Sequence, residues 1–356
     1  MASIDKLLRV LQKKEGSDLH ISPSNPPIVR ISGDLLPLGD NKITPAQSKM
    51  MLFEIMNDYQ QETFETLHDI DFAYEVPSLN ARFRVNIFLD RHGINGAFRM
   101  IPDTILTVEQ LGLPSVLLTF TRYTKGLVLV TGPTGSGKST TLAALIDHIN
   151  KTRKEHIITI EDPIEFVHAN HGCLISQREV GSHTKSFKTA LRASLREDPD
   201  VILVGELRDL ETIELAITAA ETGHLVFGTL HTSSAAKTVD RIINVFPTNQ
   251  QEQIRTMLAE CIIGVIAQQL LKTIDGKRCA ALELLFVNSA VSNLIREGKT
   301  FQIPSVIQTG RNRGMQLMDQ ALLALVEAKK VSVEEARKYA VDKNLFPAAD
   351  GGPFYR

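Results

Sequence analysis

Gly132-Pro133-Thr134-Gly135-Ser136-Gly137-Lys138-Ser139 fits the pattern G-x-x-x-x-G-K-[ST] and stands between an apolar run, residues 127–131, and a stretch of helical periodicity, residues 140–150. A strand before and a helix after are the context in which this pattern works as a phosphate cradle. Its glycines let successive backbone N–H groups converge on phosphate oxygens, and the helix adds the positive end of its dipole. Lys138 is then expected at the β- and γ-phosphates, and the Ser139 hydroxyl at Mg²⁺. The expected nucleotide set is Gly132, Pro133, Thr134, Gly135, Ser136, Gly137, Lys138, Ser139 and Thr140, with ATP and Mg²⁺ bound.

Around this loop the chain alternates short apolar runs at 127–131, 156–160, 201–204 and 225–229 with helical segments such as 140–150 and 210–221. That alternation predicts buried parallel strands joined by crossover helices. Three of the runs end in chemistry. Residues 201–204 lead through Gly205 to Glu206, at the carboxyl end of a strand, where ligands of open α/β sheets bind and a carboxylate can orient or deprotonate an attacking water. Gly205 stands where many phosphate-loop enzymes carry an aspartate that organises Mg²⁺, so another acid is needed. The run 156–160 ends in Glu161-Asp162-Pro163-Ile164-Glu165. Placed between the phosphate loop and the Glu206 strand in space, as it is in sequence, Glu161 would face the same crevice, as metal ligand or beside the water; Asp162 and Glu165 are weaker candidates. The run 225–229 is bracketed by His224 and His231, both candidate site residues, with His231 at the carboxyl end able to donate to a γ-phosphate.

Upstream, residues 1–100 read as a small α+β domain. Ser3 is expected to cap a first amphipathic helix carrying Ile4, Leu7, Leu8 and Leu11, and Thr44-Pro45-Ala46-Gln47 has the form of a capping box with proline at the first helical position. In Arg82-Phe83-Arg84-Val85-Asn86-Ile87 alternation puts Arg82, Arg84 and Asn86 on one strand face. Arg82, Arg84 and Arg99 are candidates for neutralising transition-state charge, and surface ion pairs are the alternative that their pattern leaves open. Beyond about residue 248 the chain reads as mainly helical.

The chain has 356 residues, and lysine plus arginine (39) nearly balance aspartate plus glutamate (41), so no stable nucleic-acid binding is expected. Cys173, Cys261 and Cys279 carry no paired spacing, which excludes a disulfide framework and a four-cysteine zinc site within this chain. No apolar stretch at the amino terminus or elsewhere has the length of a signal core or membrane span, and a cytoplasmic location is expected.

Taken together these stretches resemble the secretion and pilus ATPase superfamily, most closely the type IV pilus retraction (PilT-like) ATPase family. Ser17-Asp18-Leu19-His20-Ile21-Ser22-Pro23 resembles its amino-terminal signature, residues 161–166 its acidic box, 198–209 its atypical Walker B and 222–232 its histidine box. Ala290-Val291-Ser292-Asn293-Leu294-Ile295-Arg296-Glu297 resembles its AIRNLIRE element, with Val291 and Ser292 in place of Ile and Arg. The resemblance implies an α/β fold: a RecA-like P-loop ATPase domain (114–273) preceded by a small α+β PAS-like domain (1–100) and a linker (101–113). Mainly helical carboxy-terminal elements (274–349) and a tail (350–356) follow. It implies ATP between the two domains with Arg82, Arg84 and Arg99 facing the phosphates. It further implies a homohexameric motor at the cytoplasmic face of the inner membrane, working on a pilus platform protein, alone or beside a paralogous retraction ATPase.

Overall fold

The computed structural model describes residues 2–31, 33–101 and 104–347. Pro102 and Asp103, where the linker was expected to open, and the expected tail 350–356 lie outside the described residues. The chain divides into two compact units, one of Met1–Thr104 with Asp162–Val167 and one of Ile105–Glu161 with His168–Arg356.

The first unit is built on a six-stranded antiparallel sheet in the order Asp34–Pro37, Ile28–Ile31, Asp18–Ile21, Gly93–Ile101, Ala81–Asp90, Asp69–Val76. The period-2 pattern read from the sequence is the pattern observed: Ala81, Phe83, Val85 and Ile87 are buried and Arg82, Arg84 and Asn86 are not. The buried set joins Leu8 and Leu11 of helix Asp5–Lys13, Leu52 of helix Pro45–Phe53 and Phe64 of helix Asp58–Leu67 in one core. The Thr44–Gln47 capping box forms as expected. Ser3 does not cap the first helix. Its N–H and Oγ both donate to Glu54 Oε2, at 2.9 and 2.6 Å, and Ile4 occupies the cap position with helical dihedrals and no side-chain acceptor.

The second unit is a seven-stranded sheet in the order Arg278–Phe286, Ile262–Lys272, Gly126–Thr131, Leu225–Leu230, Val201–Val204, His156–Glu161, Leu174–Glu179. All neighbours are parallel except the first pair. Central strands are buried on both faces, and alternate residues feed two cores: Leu127 and Leu129 pack in one, Val128 and Val130 in the other. This is the continuous apolar run of a covered parallel strand rather than a half-wet alternating one.

Two expectations are corrected here. The chain beyond residue 248 is helical except for one hairpin that was not expected, Ile262–Lys272/Arg278–Phe286, which follows helix Gln251–Cys261. The run Ile262-Ile263-Gly264-Val265-Ile266-Ala267 has no period that separates buried strand from buried helix, and pairing with Gly126–Thr131 settles it as strand. Gly264 shows how closely this strand is packed: a Cβ there would lie 2.4 Å from Phe120 Cε1 and 2.5 Å from the Leu285 carbonyl. The Glu161 strand also does not lie between the phosphate-loop strand and the Glu206 strand. That place is taken by Leu225–Leu230, and His156–Glu161 lies on the far side of Val201–Val204.

Candidate functional site

The phosphate loop leaves a buried strand, turns through Gly132, Gly135 and Gly137 at φ 142°, 79° and 87°, and enters helix Lys138–Thr152. Those angles are open to glycine and strained for other residues. Gly132 also has no room for a side chain, since a Cβ would stand 2.2 Å from the Gln268 carbonyl. Lys138 Nζ donates to the carbonyls of Gly132 and Pro133 at 2.9 and 3.0 Å, which holds the ammonium over the loop. Gln268 on the hairpin clamps this element from the side: its Nε2 donates to Ser136 O at 2.6 Å and its Oε1 accepts from Thr141 Oγ1 at 2.8 Å. Ser136 Oγ is buried with no hydrogen-bond partner among the described residues. A loop of converging N–H groups that retains a buried, unused hydroxyl suits an anionic, oxygen-rich ligand.

Sheet order brings three sequence-predicted groups to adjacent strand ends. Glu206 follows Val201–Val204, His231 follows the neighbouring Leu225–Leu230, and that strand lies beside the phosphate-loop strand. His231 Nε2 lies 3.1 Å from Glu206 Oε1, and because a carboxylate only accepts, Nε2 carries the proton. Arg208 Nε lies 2.7 Å from the same oxygen. Burial alone would raise the Glu206 pKa, but the Arg208 bond and charge, with His231 behind them, outweigh it and hold the carboxyl below its usual range. Arg208 was missed in the sequence, although two residues along an extended segment is the spacing that returns a side chain to the same face. Arg241, from helix Ala235–Asn244, lines the same hollow as Glu206, Arg208, His231 and Thr232.

Glu161 ends the strand next to Val201–Val204, where its Oε1 accepts from Thr159 Oγ1 at 2.6 Å and Gln177 Nε2 at 3.2 Å. Gly205 packs against it: a Cβ on residue 205 would lie 3.1 Å from the Ile160 carbonyl and 3.3 Å from Glu161 Cα. A side chain in the aspartate's usual place would therefore press on the Glu161 strand. Asp162 and Glu165 fall in the segment that groups with the first unit.

His224 is not brought to this site. It precedes Leu225–Leu230, at the end of the strand opposite His231, and its Nδ1 donates to Ala219 O at 2.9 Å in the last turn of helix Leu210–Glu221. Arg82, Arg84 and Arg99 belong to the first unit. Arg84 and Arg99 oppose each other across neighbouring strands, Arg99 Nε 2.9 Å from Asp18 Oδ1 and Arg84 Nε 3.6 Å from Asp71 Oδ1. The AIRNLIRE-like helix Ser289–Arg296 buries Val291 and Ile295, and Ser292 Oγ donates to Ala259 O at 2.9 Å.

With this geometry in hand, the family model described as type II/IV secretion system protein matches residues 2–348. The chain belongs to that family. Among curated relatives, the type IV pilus retraction ATPase PilT of Pseudomonas aeruginosa is 52% identical over 337 residues, covering 95% of this chain and 98% of that protein. The type IV pilus ATPase PilU of the same organism is 39% identical over 341 residues, with 96% and 89% covered. A crystal structure of the pilus retraction motor PilT with bound ADP superposes with a TM-score of 0.90 at 45% identity, covering 97% of this chain and 98% of that one. The α/β fold expected of a secretion ATPase is thus the fold this family member has.

Proposed function

We propose that the chain is a Mg-ATP-hydrolysing motor subunit that powers type IV pilus retraction and hence twitching motility. The observation that carries this is the Glu206–His231 pair at adjacent strand ends beside the phosphate-loop strand. The relatives' names and the closer identity to PilT than to PilU support the same reading.

In this reading the loop from Gly132 to Thr140 binds ATP, with Lys138 on its phosphates. Glu206, kept ionised by Arg208, orients and deprotonates the attacking water, and His231, held by Glu206, senses the γ-phosphate. The hard oxygen donors available to Mg²⁺ are the Ser139 hydroxyl, in the first turn after the loop, and the Glu161 carboxylate. Two such ligands plus phosphate and water oxygens are an ordinary Mg²⁺ shell. The ion supplies charge neutralisation on the phosphates. Arg82, Arg84 and Arg99, from the amino-terminal domain (1–100, with linker 101–113), are the candidate transition-state cations. The ATPase core spans 114–273 and the carboxy-terminal part 274–349. The ring is a homohexamer at the cytoplasmic face of the inner membrane, acting on a platform protein.

A second reading, an accessory PilU-like motor that needs a partner, has one observation in its favour: Ser292, in place of the family arginine, is spent on the Ala259 carbonyl. A cell assay separates the two. The gene is placed in a twitching-deficient strain lacking all its own retraction ATPases, with and without a paralogue. Restored twitching by this protein alone is expected; rescue only beside the paralogue favours the accessory reading, and no rescue in either strain contradicts both.

A further inference from the structure

One buried carboxylate has no part in the site described so far. Glu283, in strand Arg278–Phe286, is only 6% exposed. Its Oε1 accepts the backbone N–H of Ala235 at 2.8 Å, and the backbone N–H of Met318 is close enough to act on the carboxylate electrostatically. Ala235 opens helix Ala235–Asn244 and Met318 opens helix Met318–Glu327. A single side chain therefore satisfies an orphan amide at the start of one helix and faces the start of a second, where both dipoles favour an anion. Burial pushes the Glu283 pKa up, and the neighbouring Ala235 and Met318 amides oppose that without cancelling it.

Its position in the sheet matters as much as its bonds. Glu283 is in register with Ala267, Ala267 with Thr131, and Thr131 with Leu230. The carboxylate thus sits level with the residues from which the phosphate loop and the His231 segment depart. Helix Ala235–Asn244 follows directly on residues 231–234, and Thr232 Oγ1 lies 2.7 Å from Thr238 Oγ1 within it, so this segment is tied to the helix that Glu283 anchors. On the other side, helix Met318–Glu327 leads the carboxy-terminal cluster: Met318, Ala321 and Leu322 pack with Val331, Ala336 and Phe346. Asp319 accepts the N–H groups of Val341 and Asp342 at 2.8 and 2.9 Å.

We propose that Glu283 is a positioning residue, which sets His231 against Glu206 by anchoring helix Ala235–Asn244 and registers the carboxy-terminal helices to the same row of the sheet. The proposal rests on the role given to His231 above. A displacement of the carboxy-terminal helices then acts on the hydrolytic site through one carboxylate.

A double-mutant cycle on the full-length protein tests it, reading kcat, the affinity for a fluorescent ADP analogue and oligomer size. Glu283→Gln is expected to keep assembly and nucleotide affinity while kcat falls roughly tenfold or more, the order that a sub-ångström misplacement brings. Added to His231→Ala it should cost little further, because both changes strike one arrangement. Glu283→Asp keeps the charge but is too short for both helices, so it should fall between wild type and Glu283→Gln. It replaces Glu283→Gln in the cycle should that variant not fold. Wild-type kcat in folded Glu283→Gln, or losses that multiply independently in the double mutant, would overturn the proposal. Wild-type hydrolysis by His231→Ala alone would instead sink the reading of His231, whatever Glu283→Gln does, and this proposal with it.

Discussion

Gln268 makes two hydrogen bonds that no motif announces, one to each end of the turn from loop to helix. Its strand lies in a stretch that reads as helical from sequence, so nothing in the sequence aims it at residues 136 and 141. Lys138 and Glu206, by contrast, were legible, because a loop pattern and a strand end each carry a local signal. Gln268→Ala leaves the Thr141 hydroxyl and the Ser136 carbonyl without this partner in a buried place, at about 1–3 kcal/mol per group. The expected outcome is a lower denaturant midpoint and weaker nucleotide binding in a titration, and an unchanged midpoint and affinity would contradict the clamp. Gly205 gives a second prediction at this scale. Gly205→Asp, which recreates the acid of other phosphate-loop enzymes, should lower kcat instead of raising it, because the Cβ crowds the Ile160 carbonyl and Glu161 Cα.

At the scale of elements, periodicity revealed the four central parallel strands and the Leu210–Glu221 helix, and it failed at the hairpin and at edge strand Leu174–Glu179. Leu174-Ile175-Ser176-Gln177-Arg178-Glu179 has too little apolar alternation to stand out, and its pairing with His156–Glu161 is what makes it a strand. Local pattern also could not order the sheet, which is why the Glu161 strand was expected on the wrong side of Val201–Val204. The segment leading into this edge carries His168, which is buried beside Gln177, with its Nδ1 lacking a hydrogen-bond partner among the described residues. Burial, opposed weakly by Asp147, depresses its pKa to about 4. The unfolded chain takes up this proton near the ordinary histidine pKa while the fold resists it, so stability is complete above about pH 6.5 and is lost as pH falls toward about 4. The loss is up to about 3 kcal/mol, at 1.36 kcal/mol per unit. Thermal melts across this window should show the decline, and His168→Leu should flatten that part of the curve; an identical slope in the variant would rule His168 out as its source.

Across the whole molecule, the two units divide the expected chemistry: phosphate loop, Glu206 and His231 in one, the three arginines in the other. The arginines were the least legible candidates, since alternation puts them on a strand face without saying what that face meets. The ion pairs of Arg99 with Asp18 and of Arg84 with Asp71 give them a structural occupation as well. No helix among the described residues is long and apolar enough to cross a membrane. Hydrolysis in this reading depends first on Glu206 and the phosphate loop, both in the second unit, so one experiment bears on them together. Mg-dependent ATP hydrolysis is measured for the wild type and Glu206→Gln, with nucleotide binding and light scattering recorded on the same samples. The account predicts hydrolysis by wild-type hexamers and, in Glu206→Gln, hexamers that still bind nucleotide but hydrolyse it at least about 100-fold more slowly. Well-formed wild-type hexamers that bind ATP without hydrolysing it, or a Glu206→Gln variant as active as the wild type, would contradict it.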